Sequence, residues 1–238
     1  QGGELRAKLP GKYTATTKDS NGDPVTFSVT IATGVNEATE KAYSDLNRLV
    51  VLGFAPCGVD YASPEELLAN GWAATEEEAN ANYGPKWFIE FTSDETISTS
   101  LPVNNELDYT MLNFDGKQYY FHAFAKRPTS DRYTDAVRSF PVEVSDDLTV
   151  TIKKLVEETD YGTFTYYPGV LSGTSQWWGD MVFAASEEIV LKRDADQGPE
   201  PAAVKSVRHL SMPERVTVNL GASPAVDNRR AVAERLMR

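Results

Sequence analysis

Cysteine is almost absent from the sequence, and Cys57 is its only example. A single cysteine can form no internal disulfide, so the chain is not a small disulfide-stapled domain. A chain of 238 residues does not need such staples, because a protein of this size buries about 70% of its unfolded surface. The shortage of cysteine therefore does not argue against export.

Histidine is nearly as scarce, since only His122 and His209 occur. His122 lies among aromatic residues in YYFHAFA, which is typical of a packed residue in a strand. The sequence has neither a Gly-x-Ser-x-Gly elbow nor a His-Glu-x-x-His helix. With one cysteine and two distant histidines, a closed zinc site is not expected. We therefore predict no catalytic residue, no metal site and no cofactor.

Long apolar runs are missing as well, and none approaches the ~18 residues of a membrane span. The net charge of −12 is uneven: residues from Lys205 onward carry +4, which leaves −16 on the preceding residues. An acidic body of this kind repels phosphate backbones, so nucleic acid is not an expected partner.

Short runs of β-branched and aromatic residues make up most of the chain. Phe27, Val29 and Ile31 alternate with polar residues, which indicates a strand with one side on a core. Asn21-Gly22 and Asp115-Gly116 predict hairpins with two-residue turns that need positive φ. A third hairpin is predicted at Ser145–Asp147, with the following strand already including Leu148.

The remaining strands are predicted in further short runs of the same kind. These are Leu49–Phe54, Lys86–Thr92, Thr163–Tyr167, Met181–Ala184 and Glu188–Leu191. Short, regularly spaced strands favour an all-β fold, an antiparallel meander that forms a barrel or a sandwich. We expect one such domain over residues 9–193. The alternative is two tandem β-sandwiches divided near Lys126–Arg138.

Two short helices are predicted in an insertion at about 60–83. SPEELLANG has Ser63 as N-cap and Pro64 at the first helical position, and TEEEANANYG repeats the signal from Thr75. An insertion of this kind in a β fold usually caps one end of the sheet or barrel. After Arg193, DADQGPEPAA indicates a linker, so residues 194–238 are predicted as a linker and tail with one strand and a short helix.

Several stretches resemble exported, β-rich surface lipoproteins of Bacteroidetes, many of unknown function and some linked to glycan uptake. They are GKYTAT…VTFSVTIA, NRLVVLGF, YGPKWFIEF, FPVEVSDDLTVTIKKL and TYYPGV, between Gly11 and Arg193. The resemblance implies an exported lipoprotein at the cell surface or outer membrane, or in the periplasm, which contacts a membrane only through a lipid anchor. The start, QGGELRAKLPGKY, is typical of a processed chain. Cys57 is too internal to carry the implied lipid anchor.

The run SGTSQWWGDM contains the candidate ligand-binding residues. LSGTSQ before the two tryptophans is typical of a loop and Gly179 follows them, so we predict that the tryptophans lie in a loop. We predict that Trp177 or Trp178 stacks on a sugar ring while Gln176 and Asp180 bind its hydroxyls. We expect Trp178 to be buried at the rim of the core and Trp177 to be exposed. The alternative is that the pair only plugs the end of the core.

Three functions are compatible with these features. The first is an exported, non-catalytic binding protein for a glycan, with a polysaccharide or a surface protein as its partner. The second is a structural or assembly component of a cell-surface complex that docks through its tail. A glycoside hydrolase is the least supported, because the sequence singles out no pair among its 35 acidic residues.

Overall fold

The fold is built from β-strands, and nearly all of their pairings are antiparallel. The exception is the short strand β16 (Val204–Lys205), which runs parallel to its neighbour. The predicted antiparallel all-β class is therefore confirmed. The computed structural model describes residues 2–36, 41–42, 48–53, 64–69, 71, 74–76, 86–91, 96–100, 111–112, 118–136, 138–174, 177–201 and 204–205.

Eight strands form a sheet that curls into a nearly closed barrel. Around the barrel they are β1 (Gly11–Lys18), β2 (Pro24–Asn36), β4 (Arg48–Leu52), β5 (Lys86–Phe91), β6 (Ile97–Ser100), β10 (Val142–Val144), β11 (Val150–Ile152) and β15 (Ile189–Arg193). The short strand β3 (Lys41–Ala42) pairs antiparallel with the end of β2. β15 pairs again with β1, and β6 meets β10 at a bridge between Ser98 and Pro141. The predicted meander is thus found in its barrel form.

Alternate residues of the barrel strands fill the interior. Along β1, Tyr13, Ala15 and Thr17 are buried, whereas the residues between them are not. Trp87 and Phe140 are among the largest fully buried side chains. An eight-stranded barrel is just wide enough for such side chains to fill it. The interior is therefore a packed core, formed by one contiguous cluster of buried apolar residues.

One end of the barrel is held by Arg193, the last residue of β15. Its guanidinium donates to the carbonyl oxygens of Leu9 at 3.3 Å and Pro10 at 3.2 Å. It also donates to the Tyr13 hydroxyl at 3.0 Å and lies 5.5 Å from the centre of that ring. The Tyr13 hydroxyl in turn donates to the carbonyl oxygen of Leu9 at 2.6 Å. We call this set of contacts the Tyr13–Arg193 clamp.

Two insertions between barrel strands, one between β6 and β10 and the other between β11 and β15, form a second, smaller sheet. The first insertion contributes β7 (Met111–Leu112), β8 (Gln118–Lys126) and β9 (Tyr133–Ala136), and the second contributes β12 (Leu155–Thr159), β13 (Gly162–Thr174) and β14 (Trp177–Ala184). β13 is central, because it pairs with β8 on one edge and with β12 and then β14 on the other. β8 pairs in turn with β7 and β9.

Both insertions leave the barrel at the end opposite the clamp, because the barrel strands alternate in direction. The smaller sheet covers that end, since its residues Ala123, Tyr166 and Val170 belong to the same buried cluster as the barrel interior. The division near Lys126–Arg138 that the sequence offered as an alternative does not separate the two sheets. β8 lies before it and pairs with β13, which lies after it.

The first predicted hairpin is confirmed, but its turn has three residues rather than two. The backbone N–H of Asp19 donates to the carbonyl oxygen of Asp23, and the N–H of Gly22 donates to the carbonyl oxygen of Asp19, both at 2.9 Å. Gly22 has a φ of 83°, the left-handed conformation in which such a loop closes. The Asp19 carboxylate accepts the N–H groups of Asn21 and Asp23 at 2.9 Å each. These bonds fix the turn.

The hairpin predicted at Ser145–Asp147 is also confirmed, with a turn of the same form. In this turn Leu148 corresponds to Gly22 of the first hairpin and has a φ of 62°. Its N–H donates to the carbonyl oxygen of Ser145 at 2.9 Å. The prediction that the next strand includes Leu148 is wrong, because β11 begins at Val150. Leu148 is apolar because it packs against the core, although its backbone belongs to the turn.

The helix predictions are wrong in part. In the described residues, the insertion at 60–83 holds one short helix, α2 (Pro64–Ala69). Of residues 74–76, Glu76 alone is helical, which does not establish a second helix, and the rest of the segment predicted from Thr75 lies outside the described residues. A helix that was not predicted, α1 (Gly2–Lys8), packs Leu5 against the core beside the clamp. Helices this short depend on tertiary packing, so local sequence signals identify them poorly.

The start of the predicted linker lies against β1. The N–H of Lys12 donates to Gln197 Oε1 at 2.8 Å, and Gln197 Nε2 donates to the Lys12 oxygen at 2.8 Å. The Thr14 hydroxyl donates to Asp194 Oδ1 at 2.7 Å. Residues 194–197 therefore stay attached to β1 after β15 ends at Arg193. The turn at Asp115-Gly116 lies outside the described residues, although β7 and β8 on either side of it pair.

Replacing Gly22 with valine should lower the free energy of unfolding by about 1–3 kcal/mol through backbone strain. No atom lies within 4 Å of the position that a Cβ would occupy at Gly22, so the loss would come from the backbone and not from a clash. Gly22→Asn is the control, because asparagine adopts positive φ more easily. Urea denaturation measures both, and an unchanged midpoint for Gly22→Val would contradict the turn.

Replacing Arg193 with lysine should lower the free energy of unfolding by about 2–3 kcal/mol, because an ammonium cannot reproduce the guanidinium contacts of the clamp. Lys192→Ala, a change at the exposed neighbouring position, is the control and should stay within about 0.5 kcal/mol of the wild type. Denaturant unfolding of the three proteins checks this prediction. Equal losses in both variants would show that the clamp contributes nothing specific.

Truncation after Pro201 should leave the β fold intact, because the contacts of Asp194 and Gln197 with β1 remain. Truncation after Arg193 removes those hydrogen bonds and should cost about a further 1–3 kcal/mol of stability. Circular dichroism and urea titration of the two proteins measure the difference. If the protein truncated after Pro201 is unfolded, residues beyond it are required by the core.

Candidate functional site

Three of the predicted ligand-binding residues, Trp177, Trp178 and Asp180, lie on β14 of the smaller sheet. Trp177 pairs with Thr174 and Trp178 with Gly173, so both tryptophans belong to β14. The prediction that Ser172–Thr174 form a loop is wrong, since β13 continues to Thr174. The strand predicted from Met181 begins at Trp177. A strand can begin here because its partner in β13 supplies the backbone hydrogen bonds.

The structure places Asp180 on β14 with an exposed side chain, next to Met181, which is fully buried. Gln176 lies outside the described residues. Asp180 and the two tryptophans therefore lie on one strand. From Trp178 to Met181, three positions of β14 are matched by two of β13, so Trp178 and Asp180 are not related by simple alternation of faces.

A second hairpin lies beside the first at this end of the smaller sheet. Gly173 pairs with Trp178 on one side and with Gln118 on the other, and Gln118 pairs with Leu112 of β7. Neighbouring strands are about 4.8 Å apart, so Trp178 and Gln118 flank a glycine across about 10 Å. A glycine inside a strand often marks a place where another group approaches the backbone closely.

The pairing of β13 with β14 is irregular next to the neighbouring residues Trp178, Gly173 and Gln118. Register shifts occur between Val170 and Leu171 and between Leu171 and Gly173. Irregularities of this kind bend and twist a strand, and they are common beside functional sites because they re-aim side chains. Near Leu171 and Gly173, β13 and β14 therefore do not simply continue a flat sheet.

The base of the hairpin is rigidly supported. Phe124, Leu171, Met181 and Ala184 form a second buried cluster, separate from the barrel core. Phe124 also lies across Gly169, where an added Cβ would come within 2.4 Å of its ring. Tight packing of this kind holds a β-hairpin in one geometry, which favours a preformed site.

His122 is a packed residue of β8, as its aromatic surroundings predicted. It is 5% exposed, and its ring lies 5.8 Å from that of Phe124 at 75°. Its Nε2 lies 3.0 Å from Asp135 Oδ2 on β9. Among the described residues, no group of three His, Cys, Asp or Glu side chains could hold a metal ion. His209 and Cys57 lie outside the described residues.

The sequence analysis did not predict the hairpin that β12 and β13 form at the other end of β13. Thr159 pairs with Gly162, so the turn consists of Asp160 and Tyr161. The N–H of Tyr161 donates to Thr159 Oγ1 at 3.2 Å, and the Thr159 hydroxyl donates to the Gly162 oxygen at 2.7 Å. Tyr161 is 88% exposed. We call residues 155–166 the tyrosine hairpin, which TDYGT could have indicated as a turn.

Arg138 fixes the tyrosine hairpin to the rest of the molecule. Its Nε donates to Glu157 Oε1 at 2.7 Å and its Nη2 reaches Glu157 Oε2 at 3.4 Å. The hydrogen bond to Glu157 raises the pKa of Arg138. The guanidinium also lies 5.7 Å from the ring centre of Tyr166, which is buried. The hairpin is therefore held through one face while Tyr161 stays exposed.

Neither helix in the described part of the chain has the length and hydropathy that crossing a membrane requires. Comparison with protein-family models, with curated proteins and with solved structures gives no significant match. A function for this chain is therefore argued from its own residues and their arrangement.

Proposed function

We propose that this protein is an exported, non-catalytic binding protein whose ligand is a glycan. The observation that carries the proposal is the position of Trp177 and Trp178, which are adjacent at the start of β14 and pair with the end of β13. Gly173 lies opposite Trp178 in the register. The proposed binding surface consists of the two tryptophans, Gln176 and Asp180.

These residue types suit a sugar ring. A pyranose presents a face of C–H groups that matches the flat, apolar surface of an indole, which combines a large contact area with a polar N–H. Sugar hydroxyls need hydrogen-bond partners around that face, and a carboxylate such as Asp180 accepts while an amide such as that of Gln176 both donates and accepts. A small number of polar groups beside an aromatic surface is the usual composition of a ligand site.

Adjacent tryptophans can divide two roles. Successive residues of a strand lie on opposite faces, so one of the pair is expected to pack at the rim of the core and the other to meet the ligand. We assign the packing role to Trp178, because it lies opposite Gly173, where a large ring fills the space of the missing side chain. Trp177 is then the ligand-binding member.

The cellular location belongs to the same proposal. The resemblance to Bacteroidetes surface lipoproteins supports export to the cell surface, the outer membrane or the periplasm, with attachment through a lipidated cysteine. A barrel filled by a single large cluster of apolar residues is stable without disulfides, which suits export of a chain with one cysteine. A polysaccharide or a surface protein would be its partner.

Substitution of the two tryptophans by alanine should separate their roles. Trp178→Ala should lower the free energy of unfolding by about 3–5 kcal/mol, as expected for removal of a buried tryptophan. Trp177→Ala should leave stability nearly unchanged and abolish glycan binding. Urea denaturation measures the first effect, and a glycan array followed by calorimetry on any hit measures the second.

Tyr161→Ala is the matched control, because it removes an exposed aromatic ring from the other end of β13. It should leave both stability and glycan binding unchanged. If both tryptophan variants are equally destabilised and the wild type binds no glycan on the array, the pair is structural and the proposed function is wrong.

A further inference from the structure

The tyrosine hairpin has the properties of a protein-docking surface. We propose that β12 binds an extended, basic segment of a partner protein, which adds to the smaller sheet as a further strand. This interaction is independent of the proposed glycan site, which lies at the other end of β13.

In the described part of the chain, the outer edge of β12 is open to such a strand. β12 is the terminal strand on its side of the smaller sheet, and among the described strands it pairs only with β13. The outer edge of a terminal strand presents N–H and C=O groups that a second chain can bind. A peptide that adds to the edge gains these main-chain hydrogen bonds, while its side chains determine specificity.

Apolar surface is concentrated on the same hairpin. Val156 is 49% exposed and Tyr161 is 88% exposed, and they are the large hydrophobic residues that stand out as exposed in the described part of the chain. Val156 pairs with Thr165 in the register, so it lies on the face opposite the Arg138 contact of Glu157. Tyrosine is enriched where proteins bind one another, because it combines a large rigid ring with a polar hydroxyl.

The charge of the hairpin selects the partner. Residues 155–166 include Glu157, Glu158 and Asp160 and no basic residue. Arg138 neutralises Glu157, whereas Glu158 accepts only a neutral hydrogen bond, from the Thr163 hydroxyl at 2.8 Å. A lysine- or arginine-rich segment would complement this charge.

A second copy of this chain would fit poorly on the same edge. Antiparallel pairing of β12 with β12 would bring the glutamates of one copy close to those of the other, and like charges opposite one another destabilise a sheet. The same acids therefore act against self-association, as charged residues on edge strands commonly do. The expected occupant is a different protein.

The hairpin is also preorganised for binding. The Arg138–Glu157 pair fixes β12 from one side. At the tip of the hairpin, the Thr159 side chain forms hydrogen bonds with the backbone of Tyr161 and of Gly162, and these fix the turn. A rigid surface loses little conformational freedom on binding, which leaves more of the contact energy available as affinity.

A synthetic peptide tests the proposal on the full chain. The probe is a nine-residue peptide of alternating lysine and threonine, and the same peptide with glutamate in place of lysine is its control. Calorimetry should show binding of the lysine peptide at least about tenfold tighter than that of the glutamate peptide. Hydrogen–deuterium exchange should show slower exchange in β12, at amides that face away from β13.

Two variants of the hairpin should each weaken binding of the lysine peptide by about tenfold, through loss of charge complementarity or of the aromatic contact. They are Glu158→Lys and Tyr161→Ser. Glu200→Lys is the matched control, because it makes the same charge change at an exposed residue outside the hairpin. It should leave binding nearly unchanged, and so should Trp177→Ala, which separates this surface from the proposed glycan site.

Three outcomes would overturn the proposal. One is an equal loss of binding in Glu158→Lys and Glu200→Lys, which would indicate general attraction to an acidic protein. Another is unchanged exchange in β12 when the lysine peptide is bound. The third is a concentration-dependent dimer in light scattering that Glu158→Lys strengthens, which would identify a second copy of the chain as the occupant.

Discussion

The barrel depends on the contact between Tyr13 in its first strand and Arg193 in its last. These two residues are 180 positions apart in the chain, and their strands are neighbours, so the contact joins the beginning of the barrel to its end. The guanidinium satisfies the hydroxyl of Tyr13 and the carbonyl oxygens of Leu9 and Pro10. It therefore fixes the chain that enters the barrel together with the strand that completes it. A contact of such long sequence separation can form only after much chain entropy has been lost.

The direction of the barrel strands determines where both proposed surfaces lie. Because the strands alternate, the two insertions leave from the same end of the barrel, and β8 of one pairs with β13 of the other. β13 has 13 residues, and at ~3.3 Å per residue it spans about 40 Å. The tryptophans and the tyrosine hairpin lie at opposite ends of this strand. A glycan and a protein segment could therefore occupy the protein together.

The strands of the barrel could be predicted from the sequence because alternation of apolar and polar residues is a local property. The alternation is found in β2 as expected, since Phe27, Val29 and Ile31 are buried and Ser28 and Thr30 are not. Turn lengths could not be predicted, because Asn21-Gly22 is compatible with two-residue and three-residue loops. Leu148 was placed in a strand because an apolar residue after a turn usually starts one, yet here the side chain packs on the core from a left-handed backbone. The site prediction placed Trp177 and Trp178 in a loop, because Ser172–Thr174 carry no strand signal of their own.

Local sequence patterns were enough to predict the antiparallel all-β class, the burial of alternate strand residues and the packed environment of His122. Each of these follows from residue types within a few positions of one another, so the local chain contains all the information. The three-dimensional arrangement of the strands decided that β6 meets β10, that two separate insertions share one sheet and that Arg193 contacts Tyr13. It also decided that Asp135 lies 3.0 Å from His122 and that Tyr161 stays exposed. These features depend on which distant strands become neighbours, which is set by burial of the whole apolar surface and not by any one segment.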